Sequence, residues 1–198
     1  MDELPLGLYH DLIESVVAAL EAKDLYSANH SRRVSDMAEK TCLELHLHDP
    51  QIQMIHMAAH VHDIGKIGVP DQVLTKTEKL TADEWLCIRE HPQIGATILR
   101  KSNGLTEIAD TVLHHHERWD GGGYPSGLQG TAIPYGSRII AVCDSIDAML
   151  SRRSYRNPLT PEECKHEIQK NIGRMYDPQI AEMVLEKWDS IVTPIQFF

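Results

Sequence analysis

Ile139-Ile140-Ala141-Val142-Cys143-Asp144-Ser145-Ile146-Asp147-Ala148-Met149 is the stretch on which the fold class turns. Its opening residues are apolar and β-branched, which suits a strand as well as a buried helix. A buried strand needs partner strands, and these are scarce elsewhere in the chain. The stretch is therefore read as a buried helix and the protein as all-α. Asp144 interrupts this apolar run. A carboxylate there is costly to bury unless it is paired or binds a metal.

Working outward, most other segments repeat at helical spacing. Leu12, Ile13, Val16, Val17 and Leu20 form one stripe, and Val34, Met37, Ala38 and Leu45 a second. Asp49-Pro50 marks a break, after which Ile52, Ile55, Ala59 and His62 recur. Thr81 with Glu84 has the form of a capping box, opening a helix through Trp85 and Ile88. Ile94, Ile98 and Leu99 follow Pro92, and a further helix carries Ile108, Ala109, Val112 and Leu113 as far as His115 and His116. Thr160-Pro161-Glu162-Glu163 and Asp177-Pro178 read as helix starts. Trp119 to Pro134 is rich in Gly and Pro. A long loop in a compact helical domain is often functional.

The 198 residues fit one domain: an N-terminal helix over 1–22, a core over 23–190 and a tail over 191–198. No apolar run reaches the ~20 residues of a membrane span. Met1 to Tyr9 lacks the basic start and apolar stretch of a secretion signal. Cys42, Cys87, Cys143 and Cys164 form no CxxC pair and are read as reduced thiols in a cytoplasmic protein. A net charge of -10 disfavours a surface for duplex nucleic acid. A small anion remains compatible, provided that the site supplies local positive charge, as metal ions do.

Twelve histidines are many for this length, and ligand-type residues fall one cluster per helix. His30, His62-Asp63, His91, His115-His116 and Asp144 occupy successive segments, as in metal sites built inside helical bundles. Taken singly, a histidine on an apolar face is more often a satisfied core residue. His56 and His60 are read that way, as structural or surface residues. The nitrogen and oxygen ligand set, without thiolate, suits iron, manganese, zinc or nickel. Two such ions roughly 3.5–4 Å apart can clamp a phosphoryl group for in-line displacement.

At this point the sequence resembles a known family. His62-Asp63-Ile64-Gly65-Lys66-Ile67-Gly68 resembles the signature of HD-domain phosphohydrolases, and His115-His116-Glu117-Arg118-Trp119-Asp120-Gly121-Gly122-Gly123-Tyr124-Pro125 that of their HD-GYP subgroup. Supporting matches run from Glu21-Ala22-Lys23-Asp24 through His30-Ser31, His91-Pro92 and Asp144 to Asp177-Pro178. The resemblance implies an HD-type helical bundle with a long Gly/Pro-rich loop that hydrolyses cyclic di-GMP to linear pGpG, in some members on to GMP, through a hydroxide bridging two metals. His30, His62, Asp63, His91, His115, His116 and Asp144 would be the metal ligands, with Asp63 as the bridge. Lys66 would face the scissile phosphate or the nucleophile. Asp147, Arg153 and Arg156 would contact substrate. Gly123, Tyr124 and Pro125 would shape the site. Iron is the first choice of metal and manganese the second.

Some family members place a glutamate four residues before the first histidine ligand, supporting a third metal. This chain has Tyr26 there, so two metals and release of pGpG are expected. The family also links its loop to GGDEF-domain partners, and the helix from Leu6 to Leu20 could pack on its own domain or on a second copy. Three alternatives stand beside the main reading. The substrate could be 3′,3′-cyclic GMP-AMP. The protein could be a catalytically weak cyclic-dinucleotide receptor. It could also be a nucleotidase or deoxynucleotide triphosphohydrolase, which the segment from His115 to Pro125 disfavours.

Overall fold

A computed structural model of the chain describes residues 6–21, 29–152 and 157–192, with side chains from residue 13 onward in the first of these. Eleven helices, α1 to α11, are found among the described residues, and no strand is. They are α1 (Leu6–Glu21), α2 (His30–Glu44), α3 (Asp49–Val61), α4 (Asp71–Leu74), α5 (Ala82–Arg89), α6 (His91–Leu99), α7 (Thr106–Leu113), α8 (Tyr135–Leu150), α9 (Pro161–Lys170), α10 (Pro178–Glu186) and α11 (Trp188–Ile191). The stretch from Ile139 to Met149 is helical, as expected. Its apolar residues Ile139, Ile140, Val142, Cys143 and Ile146 are fully buried against α2, α3, α7, α9 and α10. Aliphatic side chains from these helices form one core, which is the main source of stability in a chain poor in aromatics.

Local chemistry sets most helix starts. The Thr81 hydroxyl accepts from Glu84 N–H while Glu84 accepts from Thr81 N–H, and Thr160 with Glu163 repeats the arrangement. Asp177 Oδ1 accepts from Gln179 N–H at 2.9 Å. Pro50, Pro92, Pro161 and Pro178 all lie in first turns, where no intrahelical donor is lost. α2 is capped from outside itself. Asn29 takes φ 59°, a conformation asparagine tolerates. Glu21, closing α1, accepts from Asn29 N–H at 2.9 Å and Ser31 N–H at 3.2 Å. A carboxylate here satisfies orphan donors and sits at the positive end of the helix.

α1 packs on α3 of its own chain, with Val17 buried. α7 ends earlier than its stripe suggested: it stops at Leu113, and His114 to His116 form a turn. The expected tail lies outside the described residues from position 193 onward, whereas Ile191 and Val192 are buried. All four cysteines are free, and Cys42, Cys143 and Cys164 are buried. Burial pushes the thiols of Cys42 and Cys143 up to about 12, so neither ionises readily. No described helix is long and apolar enough to cross a membrane.

Candidate metal centre

Three histidines stand at the ends of helices and take up carbonyls of the last turn. His62 Nδ1 meets Ala59 O at 2.7 Å, His91 Nδ1 meets Ile88 O at 2.7 Å, and His115 Nδ1 meets Val112 O at 2.6 Å. Each acceptor lies three residues back, near the C-terminal end of α3, α5 or α7. The fourth, His30, opens α2 and sets Nδ1 2.7 Å from Asp147 Oδ2. A carbonyl or carboxylate oxygen only accepts, so all four rings carry the proton on Nδ1. Their Nε2 lone pairs then point inward.

Those lone pairs face each other. His30 Nε2 and His62 Nε2 are 3.3 Å apart, and so are His91 Nε2 and His115 Nε2. For His91 and His115, both held neutral by burial, apposed lone pairs repel unless a cation lies near both, whereas His62 can carry a positive charge of its own toward His30 and Asp63. Two triads, His30–His62–Asp144 and His91–His115–His116, each have ligand atoms within 4.8 Å of one another, and a third group at the same spacing, His62–Asp63–His115, links them. Asp63 stands between them. Its Oδ2 is 3.4 Å from His62 Nε2 and 3.6 Å from His30 Nε2, whereas its Oδ1 is 3.4 Å from His91 Nε2. Asp144 Oδ1 is 3.4 Å from His30 Nε2. All seven expected ligands are thus brought together, and the donor set fits divalent cations.

Electrostatics agree with that fit. Burial pushes His91, His115 and His116 down, His116 to about 3 with help from His91. These rings stay neutral, as metal ligands must. Burial works against ionisation of Asp63 and Asp144. For Asp63, Lys66 and His62 outweigh it and hold the carboxyl well below the usual range; for Asp144, His30 and His62 outweigh it and lower the carboxyl. His62 goes the other way. Burial lowers it, but Asp63 and Asp144 lift it to about 9. The carboxylates therefore favour a positive charge at this point of the centre.

His62, Asp63, His91 and His115 are buried, while His116, Asp144 and Lys66 are partly exposed, so the centre opens on their side. Lys66 lies on the turn Ile64–Gly68 and places Nζ 2.7 Å from Asp63 Oδ2. Gly65 makes this turn possible. A Cβ there would collide with the backbone of His91 and Gly95, so only glycine lets the turn lie against α6.

Tyr124 stacks on His116, with ring centroids 4.9 Å apart and 28° between planes. Its loop is held from beneath by Glu117, which is buried. Glu117 Oε1 accepts from Ser126 and Gly127 N–H at 2.7 and 3.0 Å, and Oε2 from Leu128 N–H at 3.1 Å. A Cβ on Gly123 would strike the backbone of Glu117 and Arg118. Pro125 is exposed and follows a cis peptide.

Asp147 departs from the expected substrate contact. Its side chain is 1% exposed and lies behind His30, with Oδ1 paired to Arg33 Nε and Oδ2 taken by His30, Arg33 and Ser151. Arg153, Arg156 and Tyr26 lie outside the described residues. His56 and His60 stay apart from the centre. Their rings meet edge to face at 4.7 Å, and His60 Nε2 bonds Ser35 Oγ at 3.0 Å. Sequence reasoning missed Arg33, Glu117 as an anchor, and Arg89, which lies over Tyr124. The i,i+4 spacing of no motif marks them.

The profile of the family described as HD domain matches residues 14–180. The chain belongs to the HD-domain family. Within it, this HD domain is 40% identical over 184 residues to a cyclic di-GMP phosphodiesterase of Thermotoga maritima, covering 90% of this chain and 50% of that protein. It is 38% identical over 177 residues to a cyclic di-GMP phosphodiesterase response regulator of Xanthomonas campestris, covering 88% and 47%. A 3′3′-cGAMP-specific phosphodiesterase of Vibrio cholerae is 36% identical over 184 residues, covering 92% and 35%. The chain thus spans half the length of these relatives or less. The HD-domain fold recurs in the crystal structure of a cyclic GMP-AMP phosphodiesterase of V. cholerae, at TM-score 0.68 and 22% identity, covering 89% of this chain and 47% of that one.

Proposed function

We propose that this HD domain hydrolyses a 3′,3′-cyclic dinucleotide, cyclic di-GMP first, as a metal-dependent phosphodiesterase. The observation that carries the reading is Asp63, whose two oxygens face two histidine triads while Lys66 sits on one of them. The relatives named above as cyclic di-GMP phosphodiesterases support the choice of substrate.

His30, His62 and Asp144 would hold one ion and His91, His115 and His116 the other, with Asp63 shared. Divalent ions so paired supply Lewis-acid charge to a phosphoryl group and lower the pKa of water. Iron is proposed first and manganese second, since the donors are imidazole and carboxylate. Lys66 faces the charge that develops at phosphorus. Asp147 and Arg33 fix the tautomer and tilt of His30. Tyr124 covers His116 and limits water on that side. Arg153 and Arg156 contact the substrate, and linear pGpG is released. A GGDEF-domain partner, implied by the resemblance, and a homodimer through the helix from Leu6 to Leu20 gain no support from the comparisons.

The test is turnover of cyclic di-GMP and cyclic GMP-AMP in parallel, by protein purified anaerobically and loaded with iron or manganese, with metal counted on the same sample. Conversion of cyclic di-GMP to pGpG at two metals per chain is expected. A faster rate with cyclic GMP-AMP would reassign the substrate. Tight binding without turnover would make the protein a receptor.

A further inference from the structure

Arg89 is the last residue of α5 and lies two positions before His91. It is exposed, and its guanidinium carbon lies 4.6 Å from the centroid of the Tyr124 ring. Tyr124 in turn stacks on His116. A cation and an aromatic ring are thus layered on a ligand of the candidate centre. The contact with Tyr124 is a cation–π interaction, which positions a guanidinium without using its N–H donors.

Arg89 differs from the other arginines around the site. Arg33 is paired with Asp147, Arg118 with Asp120 and Arg138 with Asp177. Among the described residues, no carboxylate is in ion-pair contact with Arg89. Lys66, the other cation at the opening, is engaged by Asp63. A cyclic dinucleotide carries two phosphates. One reacts at the centre, and the other must lie nearby, because the ribose–phosphate ring is small. In a chain of net charge -10 that second phosphate needs a local cation.

We propose that Arg89, held over Tyr124, binds the phosphate of the cyclic dinucleotide that is not being cleaved. This rests on the phosphodiesterase reading. It assigns Arg89 to substrate binding beyond the residues expected from the sequence, and it gives Tyr124 a second task as the platform that aims the guanidinium.

The test compares wild type, R89K and R89Q on cyclic di-GMP and on bis(p-nitrophenyl) phosphate, which carries a single phosphate, with metal counted in every sample. R89Q should raise KM for cyclic di-GMP about tenfold or more, with kcat little changed, as expected for a lost charge-assisted hydrogen bond. R89K keeps the charge and should recover most of this. Turnover of bis(p-nitrophenyl) phosphate should match wild type in both variants. An unchanged KM for cyclic di-GMP would overturn the assignment. So would equal losses on the two substrates, which would make Arg89 a support for Tyr124 and His116. R89K failing as badly as R89Q would overturn it as well, in favour of bidentate contact with a guanine edge. If wild type cleaved bis(p-nitrophenyl) phosphate but no cyclic dinucleotide, the phosphodiesterase reading would fall, and this role with it.

Discussion

His30 and Asp147, 117 residues apart in sequence, meet through Nδ1 and Oδ2 at 2.7 Å, with Arg33 bracing the carboxylate from its other side. The pair converts a buried aspartate into the support of a ligand. Partners of this kind raise ligand basicity and fix ring orientation.

Asp147→Asn should therefore weaken metal binding about 10–100-fold while leaving the helical content intact. A competition titration against a metal-binding dye measures this directly. Unchanged affinity would mean that His30 needs no such support.

Asp63 and Lys66 touch, yet their removal should have different consequences. Asp63→Ala takes away the carboxylate shared by both triads, so metal and turnover should be lost together. Lys66→Ala removes only a positive charge at the opening. It should keep its metal while kcat falls about 100-fold, the usual scale for one lost electrostatic donor. Elemental analysis beside the rate assay separates the two. Full activity with both metals in Asp63→Ala would refute the site.

Glu117 gathers three backbone N–H groups of the loop. Glu117→Ala should cost about 1–3 kcal/mol and expose the segment from Trp119 to Pro134 to protease. Thermal melts and limited proteolysis read the two effects. A loop as resistant as that of wild type would show that its other ties suffice, among them Trp119 N–H to Met175 O at 3.1 Å and Asp120 N–H to Arg174 O at 2.9 Å.

The buried histidines predict an acid-labile metal-free protein. His91, His115 and His116 have folded values below the 6.5 of an unfolded chain, His116 at about 3. As pH falls below 6.5, the unfolded chain takes up protons that these rings refuse, so stability drops towards pH 3. His62, raised to about 9, contributes fully below 6.5 and loses its contribution as pH rises through 9. Melting temperatures of chelator-treated protein should fall from about pH 7 to about pH 4. A flat profile over that range would argue that the rings are not buried neutral.

The sequence disclosed what is local. Thr81 with Glu84, Thr160 with Glu163, and Asp177 with Pro178 act over three residues, so their helices could be read directly. Asp144 stood out because a carboxylate in an apolar run is expensive to bury, whereas the other six ligand-type residues were read from the family resemblance, since a lone histidine on an apolar face carries little signal. The end of α7 was not legible. No glycine or proline directly follows Leu113, and the helix end is marked only by His115 Nδ1 meeting Val112 O. The task of Asp147 was hidden for a different reason. It depends on α2 docking beside α8, a contact that no spacing encodes. Glu117 and Arg89 act on a loop whose path only the folded chain reveals.

The Nδ1 contacts divide the centre unevenly. His62, His91 and His115 are oriented by carbonyls three residues away, and these form as soon as α3, α5 and α7 exist. His30 depends on a carboxylate more than half the chain distant, and on the Glu21 cap that ties α2 to the end of α1. A partial opening that separates α2 from α8 would dismantle the His30 half first and leave the His91–His115–His116 half nearly whole. The candidate centre thus has a durable side and a conditional one, and loosening of the bundle would be felt on the conditional side first.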